Sequence, residues 1–113
     1  MKNIVDLFLK HKIVFKSLDE VDKSLLGTRK KIDIFKATDI KGNYFSIFKI
    51  DQKSRFLLKN AIELSDLELR LQKIVNHNFK YKNLLISKNI CSKSVVYLKD
   101  RGWKIFYTHP KPN

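Results

Sequence analysis

Two ionisable residues, Asp33 and Lys49, are the side chains of this sequence best suited to chemistry, because each stands inside a short apolar segment. Isoleucine or phenylalanine flanks both of them on either side. Burying a lone charge is costly, so a charge kept in such a place usually has a partner, a metal ion or a chemical task. An aspartate and a lysine on adjacent strands can together hold a metal ion and a phosphate. The pair is therefore our first candidate site.

Each of the two residues also has a purely structural interpretation. Asp33 could form a salt bridge with Lys30, Lys31 or Lys49, which agrees with the sequence as well as metal binding does. Lys49 could extend its ammonium group into solvent from an edge strand, which would need no chemistry. At the level of sequence both interpretations stay open.

Residues 31–51 have the pattern of a β-hairpin that would bring this aspartate and lysine together. Its two apolar segments are separated by Asp39 and Gly42, which supply turn chemistry. The register set by this turn places Asp33 opposite position 47 or 48, next to Lys49. The hairpin therefore predicts that the two charges are neighbours.

The hairpin belongs to an alternation of helices and strands that predicts a mixed β-sheet flanked by helices. Two capping-box patterns, at residues 17–20 and 65–68, mark predicted helix starts, so that Glu63 would lie just before the second helix. In chain order we predict a helix over residues 2–10, a strand over 12–16, a helix from 17 to 27, strands over 32–37 and 44–50, a helix from 65 to about 78, a strand over 83–87, a helix over 92–101 and a strand over 103–107.

Length and composition predict a single α/β domain. The chain has 113 residues, of which 43% are hydrophobic and 12% aromatic, and this is enough to fill one core. We assign residues 1–108 to the domain and residues 109–113 to a frayed C-terminal tail. The single cysteine, Cys91, cannot form an internal disulfide, which is typical of a cytoplasmic protein. The apolar run near the N-terminus is a poor signal peptide and too short to span a membrane, so we expect no membrane partner.

Charge is the second functional signal. The sequence carries 24 Lys and Arg against 11 Asp and Glu, which gives a net charge of +13. Ten of the basic residues and a single acid lie in residues 70–113, so the excess is concentrated in the C-terminal part. A positive field attracts polyanions, and we expect nucleic acid as the partner, with DNA favoured over RNA. The alternative is an ordinary solvated, lysine-rich surface.

The candidate nucleic-acid-binding residues lie just before the hairpin and in the C-terminal half. The first group could grip phosphates, or only protect a sheet edge from aggregation. Aromatic residues interleave with the second group and could stack on unpaired bases, although core packing is their commoner role. The residues that we assign are Arg29, Lys30, Lys31, Lys80, Lys82, Lys88 and Lys93.

The order of elements resembles that of the PD-(D/E)XK, or restriction-endonuclease-like, nucleases. In that family an aspartate lies on the second core strand and an acidic-X-Lys triplet lies on the third. Asp33 is similar in position to the family's aspartate and Lys49 to its lysine, and residues 84–107 are similar to its strand–helix–strand ending. The resemblance implies hydrolysis of phosphodiester bonds with Mg²⁺ or Mn²⁺ as the cofactor. It also implies that Asp33 holds the metal and that Lys49 orients the attacking water or stabilises developing charge.

The resemblance is incomplete at one position, where Ile47 replaces the acid of the triplet. A displaced acid could restore the metal site, and Glu63, Glu68 and Glu20 are the candidates. We assign Glu63 because the capping box gives Glu68 a sufficient structural role, so we expect Asp33 and Glu63 to be catalytic metal ligands with Lys49 beside them. The alternative is a non-catalytic module on the same fold that binds nucleic acid or a partner protein. We also consider a homodimer or a larger nucleoprotein complex, in which the protein could act on both strands of a duplex.

Overall fold

The computed structural model describes residues 2–28, 31–51, 54–87 and 90–108. Over this part of the chain, helices alternate with the strands of a sheet. The helices are α1 (Lys2–Lys10), α2 (Leu58–Val75) and α3 (Ser92–Asp100), the strands are β1 (Phe15–Val21), β2 (Ile32–Asp39), β3 (Tyr44–Ile50), β4 (Tyr81–Ile86) and β5 (Trp103–Tyr107), and a 3-10 helix covers Lys23–Leu26.

The five strands form one mixed sheet in the order β1-β2-β3-β4-β5. The first three strands run antiparallel, and β4 and β5 then run parallel to β3. Parallel neighbours need a crossover connection, which α2 and α3 supply. The ends of β3, β4 and β5 therefore lie together with the start of β2. We call this the carboxyl end of the sheet and the opposite end the amino end.

Different helices cover the two faces of the sheet. On one face, α2 and α3 pack over a core that contains Phe48, Leu84 and Trp103. On the other face, Phe8 of α1 packs with Ile47 and further apolar residues of the strands. The last four residues of β4 are buried, as predicted for a strand covered on both sides. None of the helices in the described residues is long and apolar enough to cross a membrane.

The predicted mixed sheet flanked by helices is confirmed, but its first strand lies later than expected. The residues of the first capping box, 17–20, belong to β1, because pairing with β2 outweighs the local helix signal. Only one 3-10 turn follows. It begins after Asp22, whose carboxylate accepts a hydrogen bond from the N–H of Ser24 at 3.0 Å. It ends at Gly27, where φ is 73°.

The second capping-box prediction is also wrong. Helix α2 begins at Leu58, about two turns before Ser65. At its start the side-chain oxygen of Asn60 accepts a hydrogen bond from the N–H of Leu57 at 2.9 Å. Ser65 and Glu68 therefore lie inside the helix. The longer helix is explained by an apolar stripe that starts before the capping box and is buried against the sheet, formed by Ala61, Leu64, Leu67 and Leu71.

The turn between β2 and β3 is built around Asp39, as the sequence predicts. The Asp39 carboxylate accepts hydrogen bonds from the N–H groups of Lys41 and Asn43 at 3.0 and 2.8 Å. The Asn43 side-chain amide donates a third at 3.1 Å, and Gly42 takes a φ of 86°. Burial raises the pKa of Asp39, but these hydrogen bonds outweigh it and hold the pKa below its usual value.

Candidate functional site

A cleft of about 790 Å³ opens at the carboxyl end of the sheet, between the hairpin strands and the start of α2. The three residues that we expected to be catalytic, Asp33, Lys49 and Glu63, all line it. Asp51, the first residue after β3, lines it as well. Carboxylates from two strand ends and one helix therefore share the cleft with three lysines, Lys23, Lys31 and Lys49. This combination of charges is suited to a cation and a phosphate bound side by side.

Asp33 and Lys49 are direct cross-strand partners in the β2–β3 ladder. Our expectation that both are buried is wrong, because Asp33 is exposed and Lys49 is half-buried. Both stand at the sheet end, where water reaches side chains past the covering helices. Among the described residues, neither Lys31 nor Lys49 forms an ion pair with Asp33. The salt-bridge interpretation is therefore not observed for these two lysines, and Lys30 lies outside the described residues.

Asp51 is the residue of this cleft that our sequence interpretation missed. It is exposed, and one of its carboxylate oxygens accepts a hydrogen bond from the Ser87 hydroxyl at 2.7 Å. That bond ties the end of β3 to the end of β4. A sequence signal was present, since Asp51, Gln52 and Lys53 form an acidic-X-Lys triplet shortly after Ile47. Gln52 and Lys53 lie outside the described residues.

The glutamates proposed as displaced acids have three different positions. Glu63 is exposed on α2 and lines the cleft. Glu20 is exposed near the end of β1 and lines a neighbouring cavity of about 430 Å³ that also includes Asp33. Glu68 is buried, and both of its carboxylate oxygens accept hydrogen bonds from the Gln72 side chain at 2.7 Å. Glu68 is therefore a core residue, although the helix-capping role we expected for it is wrong.

The carboxylate oxygens of the cleft are suitable ligands for a hard divalent cation. Mg²⁺ prefers carboxylate oxygens and is usually held by one or two of them, with water and substrate phosphate completing its shell. Asp33 and Asp51, from adjacent strands, provide such a pair. Within the described residues, no group of three or more His, Cys, Asp or Glu side chains is close enough to hold a metal ion by itself. The cleft therefore suits an ion that is bound partly by its substrate.

A second cleft, of about 450 Å³, adjoins the first on the α1 side of the sheet. Lys49 and Asp51 line both cavities. From α1 the second cleft receives Asp6 and Lys10. The carboxyl end of the sheet is therefore open on both sides of Lys49 and Asp51. An elongated ligand could cross this end without leaving the charged region.

The predicted nucleic-acid-binding lysines divide between the two ends of the sheet. Lys31 lines the main cleft, and Lys93 lies in the first turn of α3, which starts at the same end. Lys80 and Lys82 lie at the start of β4, about 20 and 13 Å along the strand from its other end at Ile86. The other three, Arg29, Lys30 and Lys88, lie outside the described residues.

The amino end of the sheet carries several of the cationic side chains of the C-terminal part. The ammonium groups of Lys80 and Lys104 lie 5.4 and 5.3 Å from the centroid of the Tyr81 ring. The Arg101 guanidinium stacks on Tyr97 with its carbon 3.6 Å from that ring's centroid. At the carboxyl end, Asp33, Asp51 and Glu63 line the main cleft together with the lysines. Among the described residues of the C-terminal part, most of the basic side chains therefore lie away from the main cleft.

Solved structures with a similar fold exist at low sequence identity. The chain is similar to a structure described as a protein of unknown function, AF1548, with a TM-score of 0.62 and 15% identity over 96% of this chain and 56% of that one. It is similar to a repair endonuclease from Pyrococcus abyssi, with a TM-score of 0.54 and 11% identity over 85% of this chain and 40% of that one. It is also similar to the structure of an EndoMS–dsDNA2 complex, with a TM-score of 0.52 and 12% identity over 99% of this chain and 45% of that one.

No family model and no curated protein matches the sequence. The chain spans between 40% and 56% of the length of the three structures above. At such identities the likeness concerns the fold. The domain thus shares its fold with a repair endonuclease and with a protein solved in complex with double-stranded DNA.

Proposed function

We propose that this chain is a nucleic-acid-binding nuclease domain that hydrolyses phosphodiester bonds in the cleft at the carboxyl end of the sheet, with DNA as the favoured substrate. The observation that carries the proposal is the common cleft of Asp33, Lys49 and Asp51. Two strand-end carboxylates can hold a metal ion, and Lys49 beside them can contact the phosphate, as suits a metal-assisted attack on a phosphate diester. The nuclease-like fold supports the same reaction class.

In this proposal Asp33 and Asp51 hold a Mg²⁺ or Mn²⁺ ion, and Glu63, which lines the same cleft from α2, would reach the ion's shell through water. The bound ion would neutralise phosphate charge and lower the pKa of a coordinated water. Asp51 takes the place of the acid that is missing at Ile47, because it borders the same cleft as Asp33. The hydrogen bond from Ser87 fixes one oxygen of Asp51 and restricts the orientation of its carboxylate.

Lys49 acts on the phosphate in this proposal. Its ammonium group is half-buried between the two clefts, so it is partly shielded from water where the phosphate would lie. A donor aimed at the developing negative charge stabilises the transition state more strongly where water is partly excluded. The starts of α2 and α3 lie at the same end of the sheet, and their dipoles favour an anion there.

The test is cleavage of labelled single- and double-stranded DNA and RNA with Mg²⁺ or Mn²⁺, with EDTA as the stop condition. We expect Asp33→Asn, Asp51→Asn and Lys49→Ala each to lower the cleavage rate by about a hundredfold or more while binding persists. The matched controls are Asp100→Asn and Lys99→Ala, which change exposed residues at the far end of α3. Both controls should cleave like the unchanged protein.

A chain that binds DNA but cleaves no substrate with either metal would overturn the catalytic part of this proposal. The same fold would then serve as a non-catalytic binding module. The absence of a ready group of three metal-binding side chains among the described residues is the observation that favours this second candidate. Equal binding of DNA by all the variants, without cleavage by any of them, is its expected signature.

A further inference from the structure

A small pocket of about 200 Å³ lies at the amino end of the sheet, beside the C-terminal end of α2. It is separate from the main cleft and shares no lining residue with it. Aromatic rings form one wall, and polar side chains of β1 and β2 form another. Pockets for drug-sized ligands measure roughly 300–1,000 Å³, so this one is suited to a smaller group.

The aromatic wall is a column of three rings that ends in solvent. Phe79 is buried at the base, and the centroid of the His77 ring lies 4.9 Å from it. The Tyr44 ring follows at 4.4 Å from His77, with 33° between the two ring planes. Tyr44 remains 46% exposed although its neighbours support it. An exposed ring held in place from behind is a platform on which a further flat ring can stack.

The polar wall consists of two cross-strand pairs. Ser17 pairs with Thr38, and Asp19 pairs with Lys36, in the ladder between β1 and β2. All four line the pocket. Within the described part of the chain, none of these four side chains forms a hydrogen bond or an ion pair. A carboxylate, an ammonium group and two hydroxyls are thus available to donors and acceptors on a ligand.

The surroundings of the pocket are positively charged. The N–H of Lys80 donates a hydrogen bond to the carbonyl oxygen of Tyr44 at 3.0 Å, which places Lys80 directly beside the aromatic platform. Lys73, in the last turn of α2, and Lys41, in the turn between β2 and β3, belong to the same end of the sheet. A small flat ligand that carries donors, acceptors and a neighbouring phosphate would fit all of these features.

We propose that this pocket binds one unpaired base of a nucleic-acid strand, with the base stacked on Tyr44. Asp19 and Lys36 would bond to donors and acceptors on the base edge, and Lys80 would contact the adjoining phosphate. The inference rests on the proposed nucleic-acid partner and does not require cleavage. Asp33 and Thr38 are five positions apart on β2, about 17 Å, so a strand held at both sites would span about five stacked nucleotides.

The test measures binding of a fluorescently labelled single-stranded DNA of about 20 nucleotides, and of the fully paired blunt duplex of the same sequence. Both are titrated in EDTA, which removes cleavage from the readout. We expect Tyr44→Ala to raise the Kd for the single strand about tenfold, equivalent to about 1.4 kcal/mol. The duplex has no unpaired base, so its Kd should change less than twofold or so.

Two control variants separate stacking from general damage. Tyr44→Phe keeps the ring and should bind the single strand like the unchanged protein. Tyr107→Ala removes another exposed tyrosine, at the carboxyl end of the sheet, and should also leave this affinity unchanged. Asp19→Ala tests the polar wall without touching the aromatic column, and it should weaken the single strand more than the duplex.

Three outcomes would overturn the inference. The first is a single-strand affinity that does not change in Tyr44→Ala or Asp19→Ala. The second is an equal loss for single strand and duplex. The third is displacement of the labelled strand by free nucleoside monophosphates at concentrations near its own Kd, which would make the ligand a mononucleotide. Each of these can occur whether or not the cleft cleaves DNA, so failure here is distinguishable from failure of the proposed nuclease activity.

Discussion

Asp33 and Lys49 lie directly opposite each other in the β2–β3 ladder, and among the described residues their side chains form neither a hydrogen bond nor an ion pair. Opposite charges on facing positions of two strands usually attract each other. Here one of them is exposed and the other half-buried at the open end of the sheet. The two groups are therefore available to a ligand.

This relationship predicts that the pair contributes little to stability. Asp33→Asn and Lys49→Met should each change the free energy of unfolding by about 0.5 kcal/mol or less, because no buried charge is left without its partner. The double variant should equal the sum of the single ones in urea or thermal melts. Strong destabilisation by each single change, with recovery in the double variant, would instead make the pair structural.

Binding of duplex DNA should weaken steeply as salt rises. Contacts to about five phosphates would give a slope of about −4.5 in a plot of log K against log salt concentration. Charge reversal at Lys80 and Lys82 should make this slope shallower by about one for each phosphate contact that is lost.

The matched control for these reversals is Lys59→Glu, which introduces the same charge at an exposed position of α2 outside the lining of either carboxyl-end cleft. It should leave the slope close to that of the unchanged protein. An affinity independent of salt would count against a phosphate-binding surface.

The buried carboxylate of Glu68 should make Gln72 important for stability. The Gln72 amide donates to both oxygens of Glu68 at 2.7 Å. Gln72→Met removes this donor inside the core and should cost about 1–3 kcal/mol in urea denaturation. Replacing both residues by leucine should recover much of the loss, because the stranded carboxylate is then gone. A neutral effect of Gln72→Met would show that water satisfies the carboxylate instead.

The hairpin turn should make stability depend on pH through Asp39. Its pKa is held below the usual value by hydrogen bonds from Asn43 and Lys41 that outweigh the effect of burial. The stabilisation is therefore fully present above the ordinary pKa of an aspartate and is lost as the pH falls through the lowered one. Asp39→Asn should lower the melting temperature near neutral pH, and the difference should shrink in acid. A difference that is constant with pH would contradict the assigned hydrogen bonds.

Local pattern was enough to predict the hairpin and most of the sheet. The alternation of apolar residues and the turn residues Asp39 and Gly42 predicted both hairpin strands, and β3 and β5 have the predicted bounds. Strand β2 runs two residues further than predicted, and Asp33 pairs with Lys49 itself, not with position 47 or 48. These elements depend on neighbours in sequence, since a hairpin pairs adjacent segments and a strand pattern has a period of two. For the same reason, the sequence alone is enough to predict that Asp33 and Lys49 are neighbours.

Local sequence pattern was misleading where tertiary packing determines the secondary structure or the exposure of a residue. The capping-box signals at residues 17–20 and 65–68 predicted helix starts. Residues 17–20 instead form part of a strand because they pair with β2. Residues 65–68 lie inside α2, because its buried apolar stripe begins before them. The prediction that Asp33 is buried was wrong for a related reason. A strand pattern gives the face on which a side chain lies, whereas the packing of helices over the sheet decides which strand ends remain open to water.

The sequence by itself determined the single α/β domain, the hairpin and the excess of positive charge, because these follow from composition and from short-range pattern. Only the tertiary structure decided that Asp51 joins Asp33 at one cleft, that Glu68 belongs to the core, and that Lys80 lies at the opposite end from Lys31. Those three facts depend on how β3 and β4 lie parallel and on where α2 crosses between them. Such long-range geometry comes from packing between segments far apart in the chain, and the local spacing of residues does not predict it.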